Sequence, residues 1–168
     1  MKNMILLLVM LTGCHKNAVK TTPKNPVLGA WQVVSIEWKS NERTAAIEQA
    51  QAGMFIFNEQ HYALMWSPKK TPRTAFVDLS DPTDEEILAG FKSIVFNAGS
   101  YQINNQQLVA TAKVAKVPGF EGGQLFYRFR FENQQLILTL YDETYPDGSK
   151  PDWSGKWQTK FILEPATL

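Results

Sequence analysis

From Leu28 onward, apolar residues recur mostly at every second position, the period that sends alternate side chains to one face of a strand. The clearest stretch runs from Gln124 to Asp142. With Asn133 and Gln134 as its turn, Phe131 faces Leu136, Phe129 faces Leu138 and Tyr127 faces Leu140, all on one side. The other side receives Arg130, Arg128 and Thr139, with Ile137. An earlier segment repeats the device: a turn at Asn105-Gln106 pairs Ile103 with Leu108 and Tyr101 with Ala110, and Asn tolerates the positive φ that tight turns demand. A third hairpin turns at Glu59-Gln60, setting Phe57 against Tyr62 and Phe55 against Leu64 and bringing Trp66 to the same face. Trp31, Val33 and Ser35 alternate near the start of this region, and Trp157, Thr159, Phe161 and Leu163 near its end.

Strands are therefore expected at residues 28–38, 53–58, 61–67, 75–79, 99–104, 107–115, 124–132, 135–142 and 157–164. Helix signals are few. Ser80-Asp81-Pro82-Thr83-Asp84-Glu85-Glu86 offers a capping residue, a proline for the first turn and acids at the positive end of the helix dipole. The stripe Ile87, Leu88, Phe91, Ile94 and Val95 then marks a packing face, and the helix is expected to end before Gly99. Ala45 to Ala52 suits one or two further helical turns. Eight or nine antiparallel strands with one helix in a long connection predict a mainly β fold, an up-and-down β-barrel, because closure removes exposed edges. An open sandwich is the other arrangement of the same strands.

The first residues differ in kind. Lys2 gives a positive start, Met4 to Leu11 is an unbroken apolar run, and Leu11-Thr12-Gly13-Cys14 follows. At ~1.5 Å rise per residue this run falls well short of the ~20 residues a bilayer span needs, so it reads as the core of a signal peptide. Leu-Thr-Gly-Cys resembles the bacterial lipobox, and the resemblance implies that Cys14 is lipidated and becomes the first residue of the mature chain. Cys14 is the only cysteine, so no intramolecular disulfide can form, and acylation accounts for a lone thiol in an exported protein. Several acyl chains, at ~0.8 kcal/mol per buried methylene, would hold the protein firmly on a membrane. All 20 aromatic residues (10 Phe, 5 Tyr, 5 Trp) follow Pro26, so residues 14–26 read as a tether. The expected organisation is a signal peptide at 1–13, the lipidated cysteine and tether at 14–26, and a barrel domain at 27–168. His15 after Cys14, by similarity to enterobacterial sorting rules, implies the outer membrane of the cell envelope.

Composition narrows the partners. With 168 residues, 44% of them hydrophobic, the chain is sized for one core, and 17 basic against 16 acidic side chains leave no excess positive field to grip a polyphosphate. No nucleic-acid partner is expected. The expected state is a monomer.

Leu28-Gly29-Ala30-Trp31 resembles the Gly-x-Trp opening of lipocalins. More specifically, Asp84-Glu85-Glu86, Ala98-Gly99-Ser100-Tyr101-Gln102-Ile103, Gly122-Gly123, Tyr127-Arg128-Phe129 and Leu136-Ile137-Leu138 are similar in order and spacing to the bacterial lipocalin-like domain family, over Val27 to Glu164. The Thr-Asp-Tyr loop motif of kernel lipocalins is absent. The resemblance implies that Trp31 closes one barrel end near a cation from a late strand, with Lys160, Arg128 or Arg130 as candidates.

A barrel of this size is either filled by its own side chains or holds one small ligand. The inward set, Trp31, Phe55, Phe57, Tyr62, Leu64, Trp66, Tyr101, Tyr127, Phe129 and Leu138 with Ile103, Leu108 and Leu140, suits a small hydrophobic or amphipathic ligand. It equally suits a plain core. Arg128 and Arg130 share the outer face and read as solvated. His61, the only histidine past the tether, sits at a hairpin end and cannot alone build a typical zinc site. No Gly-x-Ser-x-Gly occurs, so no catalytic triad, metal or cofactor is assigned. Asp142, Glu143, Asp147 and Asp152 read as solvated acids of a long loop, and Gly119 to Gly123 as a lid or turn. Three functions stay open: a ligand-binding barrel, an isomerase or cyclase acting through Tyr62, Tyr101 or Tyr127, and a filled adaptor exposing an apolar patch around Trp38 or Trp153.

Overall fold

The structure is a computed structural model and describes residues 25–167. Cys14, the signal peptide and all but the last two tether residues lie outside that range. Among the described residues nine strands and one helix follow one another: β1 Gly29–Ser40, β2 Thr44–Ile47, β3 Met54–Phe57, β4 His61–Trp66, α1 Asp84–Lys92, β5 Val95–Asn104, β6 Gln107–Ala115, β7 Gln124–Glu132, β8 Gln135–Thr144 and β9 Trp157–Pro165. Every neighbouring pair is antiparallel, and β9 returns to pair with β1 from Trp31↔Pro165 to Ser40↔Trp157, closing an eight-stranded barrel. β2 is the extra strand. It lies beside the C-terminal half of β1, while β3 takes the N-terminal half.

The three hairpins have the expected register. Phe57 pairs with Tyr62, Ile103 with Leu108, and Phe131 with Leu136. Asn105, Asn133 and Gln134 take positive φ of 56°, 47° and 68°, so two-residue turns follow the right-handed twist of the strands they join. Asn58 Oδ1 accepts from the backbone N–H groups of Gln60 and His61, which fixes the remaining hairpin.

Five expectations need correction. Residues 45–52 are not helical: Thr44–Ile47 is a strand, because the far half of β1 would otherwise present an open edge. Residues 75–79 form no strand, since β4 already pairs with β3 and β5 and leaves no edge for another partner; Val77 is 97% exposed. The helix starts at Asp84, capped by Thr83 in a reciprocal capping box with Glu86, so Pro82 precedes the cap and lies outside the first turn. It stops at Lys92, so Ile94 and Val95 leave the stripe and Val95 opens β5 opposite Trp66. The stripe is no packing face either. Ile87, Leu88 and Phe91 stay about half exposed, because the helix packs along no strand and buries none of its residues. Its inner support is local: the Phe76 ring lies against Gly90, and Lys116 Nζ donates to the carbonyls of Phe91 and Ile94 at 2.8 and 2.7 Å.

Three β-bulges break the strict alternation. In β1 the register shifts between Val33 and Ser35, so Trp31, Val33 and then Ile36 are buried, not Ser35. In β6, Ala112 opposes Gly99 and Val114 opposes Ala98, which leaves Lys113 as the extra residue. In β8, Leu140 opposes Tyr127 and Asp142 opposes Phe126, which leaves Tyr141 extra. Each bulge inverts inside and outside for the rest of its strand.

Candidate functional site

The two barrel ends are built differently. The turns at 58–60, 105–106 and 133–134 gather at one end, and the long connections 67–94, 116–123 and 145–156 gather at the other. The turn end is shut. Val27 is fully buried there, and its carbonyl accepts from Trp31 Nε1 at 2.8 Å. Tyr101 donates its hydroxyl to the Asn58 carbonyl at 2.6 Å and accepts from Asn25 Nδ2, which ties the incoming chain across the opening. The Trp31 ring meets Phe131 at 6.0 Å between centroids. Among the described residues no cation stands against it: Lys160 pairs with Glu37, Arg130 pairs with Glu132, and Arg128 lies 4.2 Å above the Tyr141 ring. These three side chains point away from the core, as an outward register of β7 and β9 requires.

The middle of the barrel is packed solid with Phe55, Phe161, Leu108, Leu136 and Leu138, all below 2% exposed. Phe55 and Phe161 meet at 5.1 Å. Above this floor the loop end opens into a cavity of about 500 Å³. Leu64, Trp66, Tyr127 and Leu140 of the anticipated lining border it. Trp31, Phe55, Phe57, Tyr62, Tyr101, Phe129 and Leu138 sit below it, in the packed part.

Most of the cavity wall comes from residues the sequence reading placed elsewhere. Trp38 reaches it because the β1 bulge turns that indole inward, where it meets Trp66 at 6.2 Å. Trp66 in turn stands edge-on to Phe161 at 5.0 Å. Trp153, from the β8–β9 connection, and Trp157, the first residue of β9, also line it, so Trp38 and Trp153 border the cavity and do not form an outer adaptor patch. Phe120, from the glycine-rich turn, packs edge-on to Tyr145 at 6.4 Å. That turn is held by Gly122 N–H on the Ala112 carbonyl at 2.8 Å.

Glu143 is the largest departure. It is a residue of β8 and not a solvated loop acid, and the bulge at Tyr141 points it into the cavity while Asp142 points out. Burial, aided by the charge of Asp142, raises its carboxyl from 4.5 to about 7. Among the described residues nothing donates to or pairs with that carboxylate. Asp142 does the opposite job outside. Although partial burial pushes it up, hydrogen bonds from Lys150 Nζ and Ser154 Oγ, both at 2.5 Å, and from the Glu143 N–H hold it below its ordinary value. Those bonds pin the connection that carries Trp153.

The other chemistry-bearing candidates separate. The Tyr62 hydroxyl is buried without a partner, and burial raises its pKa. Burial also raises Tyr127 strongly, with added repulsion from Tyr62 and Glu143. His61 is exposed on β4. Among the described residues no three His, Cys, Asp or Glu side chains gather as a metal site.

No curated protein matches the chain. Two solved structures are similar in fold at low identity. One is a lipocalin-like protein from Bacteroides uniformis, 13% identical, with a TM-score of 0.41 over 83% of this chain and 97% of that one. The other is an uncharacterized protein from Bacteroides eggerthii, 10% identical, with a TM-score of 0.40 over 83% and 98%. A family model described as a lipocalin-like domain matches residues 28–163, a span that takes in the closed barrel up to the last two residues of β9, and the chain therefore belongs to the lipocalin-like domain family.

Proposed function

We propose that the loop end of the barrel holds one small, mostly apolar molecule, and that the domain serves as a binding module on the bacterial cell envelope. The carrying observation is a cavity of about 500 Å³, walled largely by aromatic side chains, above an otherwise filled core. This lies within the ~300–1,000 Å³ typical of small-molecule sites, and apolar walls with few polar groups are what such sites share. The signal sequence and Cys14 support export and lipid anchoring, outside the described residues. Residue 25 enters at the shut end, so an anchor at Cys14 would hold that end and leave the mouth at the opposite pole.

The test is a fluorescence titration of the full chain with N-phenyl-1-naphthylamine, a neutral apolar dye. Saturable one-to-one enhancement is expected, with quenching of the cavity tryptophans. Leu140→Trp, which narrows the cavity, should weaken it while leaving the melting temperature near the parent value. Non-saturable signal, or enhancement with no loss of tryptophan emission, removes the reading. Anchoring is tested by feeding cells radiolabelled palmitate, where label in the native chain and none in Cys14→Ala is expected.

One observation favours a second reading. A carboxyl titrating near 7 beside Tyr127 in an apolar cavity is suited to move a proton, as an isomerase or cyclase requires. Incubation with an envelope lipid extract should then convert a component in the parent and not in Glu143→Gln; identical extracts before and after would remove that reading.

A further inference from the structure

Taking the cavity as a ligand site, we infer that its ligand is an organic amine, bound as the ammonium against Glu143 with its apolar body among the tryptophans. Charge accounting leads there. Among the described residues two charged side chains border the cavity, Glu143 and Lys116. Lys116 is committed elsewhere: its ammonium donates to two carbonyls at the end of α1 and stands 4.3 Å over the Phe91 ring. Glu143 has no counterpart. A partly buried carboxylate without a donor or cation is costly, and a ligand that supplies both relieves that cost.

The walls select in the same direction. Trp38, Trp66, Trp153 and Trp157 all border the cavity, and the negative face of an indole attracts cations more strongly than any other side-chain ring. A carboxylate ligand would meet repulsion from Glu143, and a neutral alcohol would donate one hydrogen bond but leave the negative charge uncompensated.

The surroundings of Glu143 give the binding its pH dependence. The titratable or charged groups around it are Asp142 beside it on β8, Tyr127 from β7, Lys116 from the end of β6, Tyr145 at the rim, and Lys150 bound to Asp142. Of these, Asp142 adds to burial in raising the carboxyl to about 7. Only the ionised form pairs with an ammonium, so affinity should rise with pH through neutrality. Its ionised fraction grows about tenfold between pH 6 and pH 8, and apparent affinity follows the competent fraction.

Isothermal titration calorimetry of the full chain with octylamine, octanol and octanoate decides the matter, because the three share one tail. At pH 8 octylamine should bind at least tenfold more tightly than the other two, and at pH 6 this preference should shrink by up to tenfold. Glu143→Gln should bring octylamine to within about twofold of octanol while octanol binding persists, which shows that the variant is folded and its cavity intact. If octanol binds as well as octylamine, or octanoate binds best, or Glu143→Gln keeps the preference, the amine assignment falls and the cavity reading stands. If none of the three binds, both fall together.

Discussion

Ionising Glu143 should destabilise the barrel, and replacing it should reveal by how much. Its carboxyl titrates at about 7 in the folded chain against 4.5 when unperturbed. Between those values the folded state holds a proton that the unfolded state has released, so stability falls as pH rises through this window. Below about 4.5 both states are protonated and the penalty is absent; above about 7 it is complete. At full weight the shift corresponds to roughly 3 kcal/mol, but the group is only partly buried, and screening reduces the expected penalty to about 1–1.5 kcal/mol. Glu143→Gln keeps the shape and removes the charge. The variant should melt with the parent near pH 4.5 and about 3–5 °C above it at pH 8, since 1 kcal/mol moves the midpoint of a domain this size by ~3 °C. Urea titrations in steps from pH 4.5 to 8.5 would measure the difference directly. A constant offset at every pH, or a parent that gains on the variant as pH rises, would refute the placement of Glu143 in a poorly solvated cavity.

Other substitutions probe the two ends. Phe55→Ala removes a fully buried ring and should cost ~3–5 kcal/mol, whereas Phe120→Ala at the mouth should cost about 1 kcal/mol and enlarge the cavity, both read by urea unfolding. Tyr62→Phe removes a hydroxyl that has no partner and should be neutral or stabilising, whereas Tyr101→Phe loses bonds to Asn58 and Asn25 and should cost about 1–2 kcal/mol; thermal melts compare the pair. Gly99→Ala should cost at least ~2 kcal/mol or prevent folding, because its Cβ would collide with the Thr111 carbonyl and stand 2.8 Å from Lys113 N; chemical denaturation against Ser100→Ala as control reads it.

The sequence made the hairpins legible and left the cavity largely hidden, and the reason is a matter of parity. Two-fold alternation says which face a side chain takes, and Asn-containing turns set the register, so Phe57↔Tyr62, Ile103↔Leu108 and Phe131↔Leu136 were all readable. A bulge adds one residue and carries no strong composition signal of its own. Beyond the bulge in β1, Trp38 turns inward where strict alternation places Glu37; beyond that in β6, Ala115 turns inward where alternation places Val114; beyond that in β8, Glu143 turns inward where alternation places Asp142. The cavity residues missed on these three strands are the ones past the shift.

Alternation is also blind to height along the barrel axis, and height decides whether an inward ring packs or lines a space. Phe57 and Trp66 both face inward, yet one seals the turn end and the other borders the cavity. A signal for height did exist in the spacing of the elements. In an up-and-down barrel, connections alternate between ends, and here the short ones at 58–60, 105–106 and 133–134 all fall on one end while the long ones fall on the other. Short turns bring neighbouring strands together at matched lengths and let their rings fill the axis. Long connections carry side chains such as Phe120 and Trp153 that roof a space without filling it. The bulges, in the middle of β1 and just before the loop ends of β6 and β8, raise the local twist and bend the strands, so the same three insertions that mislead a period-two reading also help to make room for a ligand.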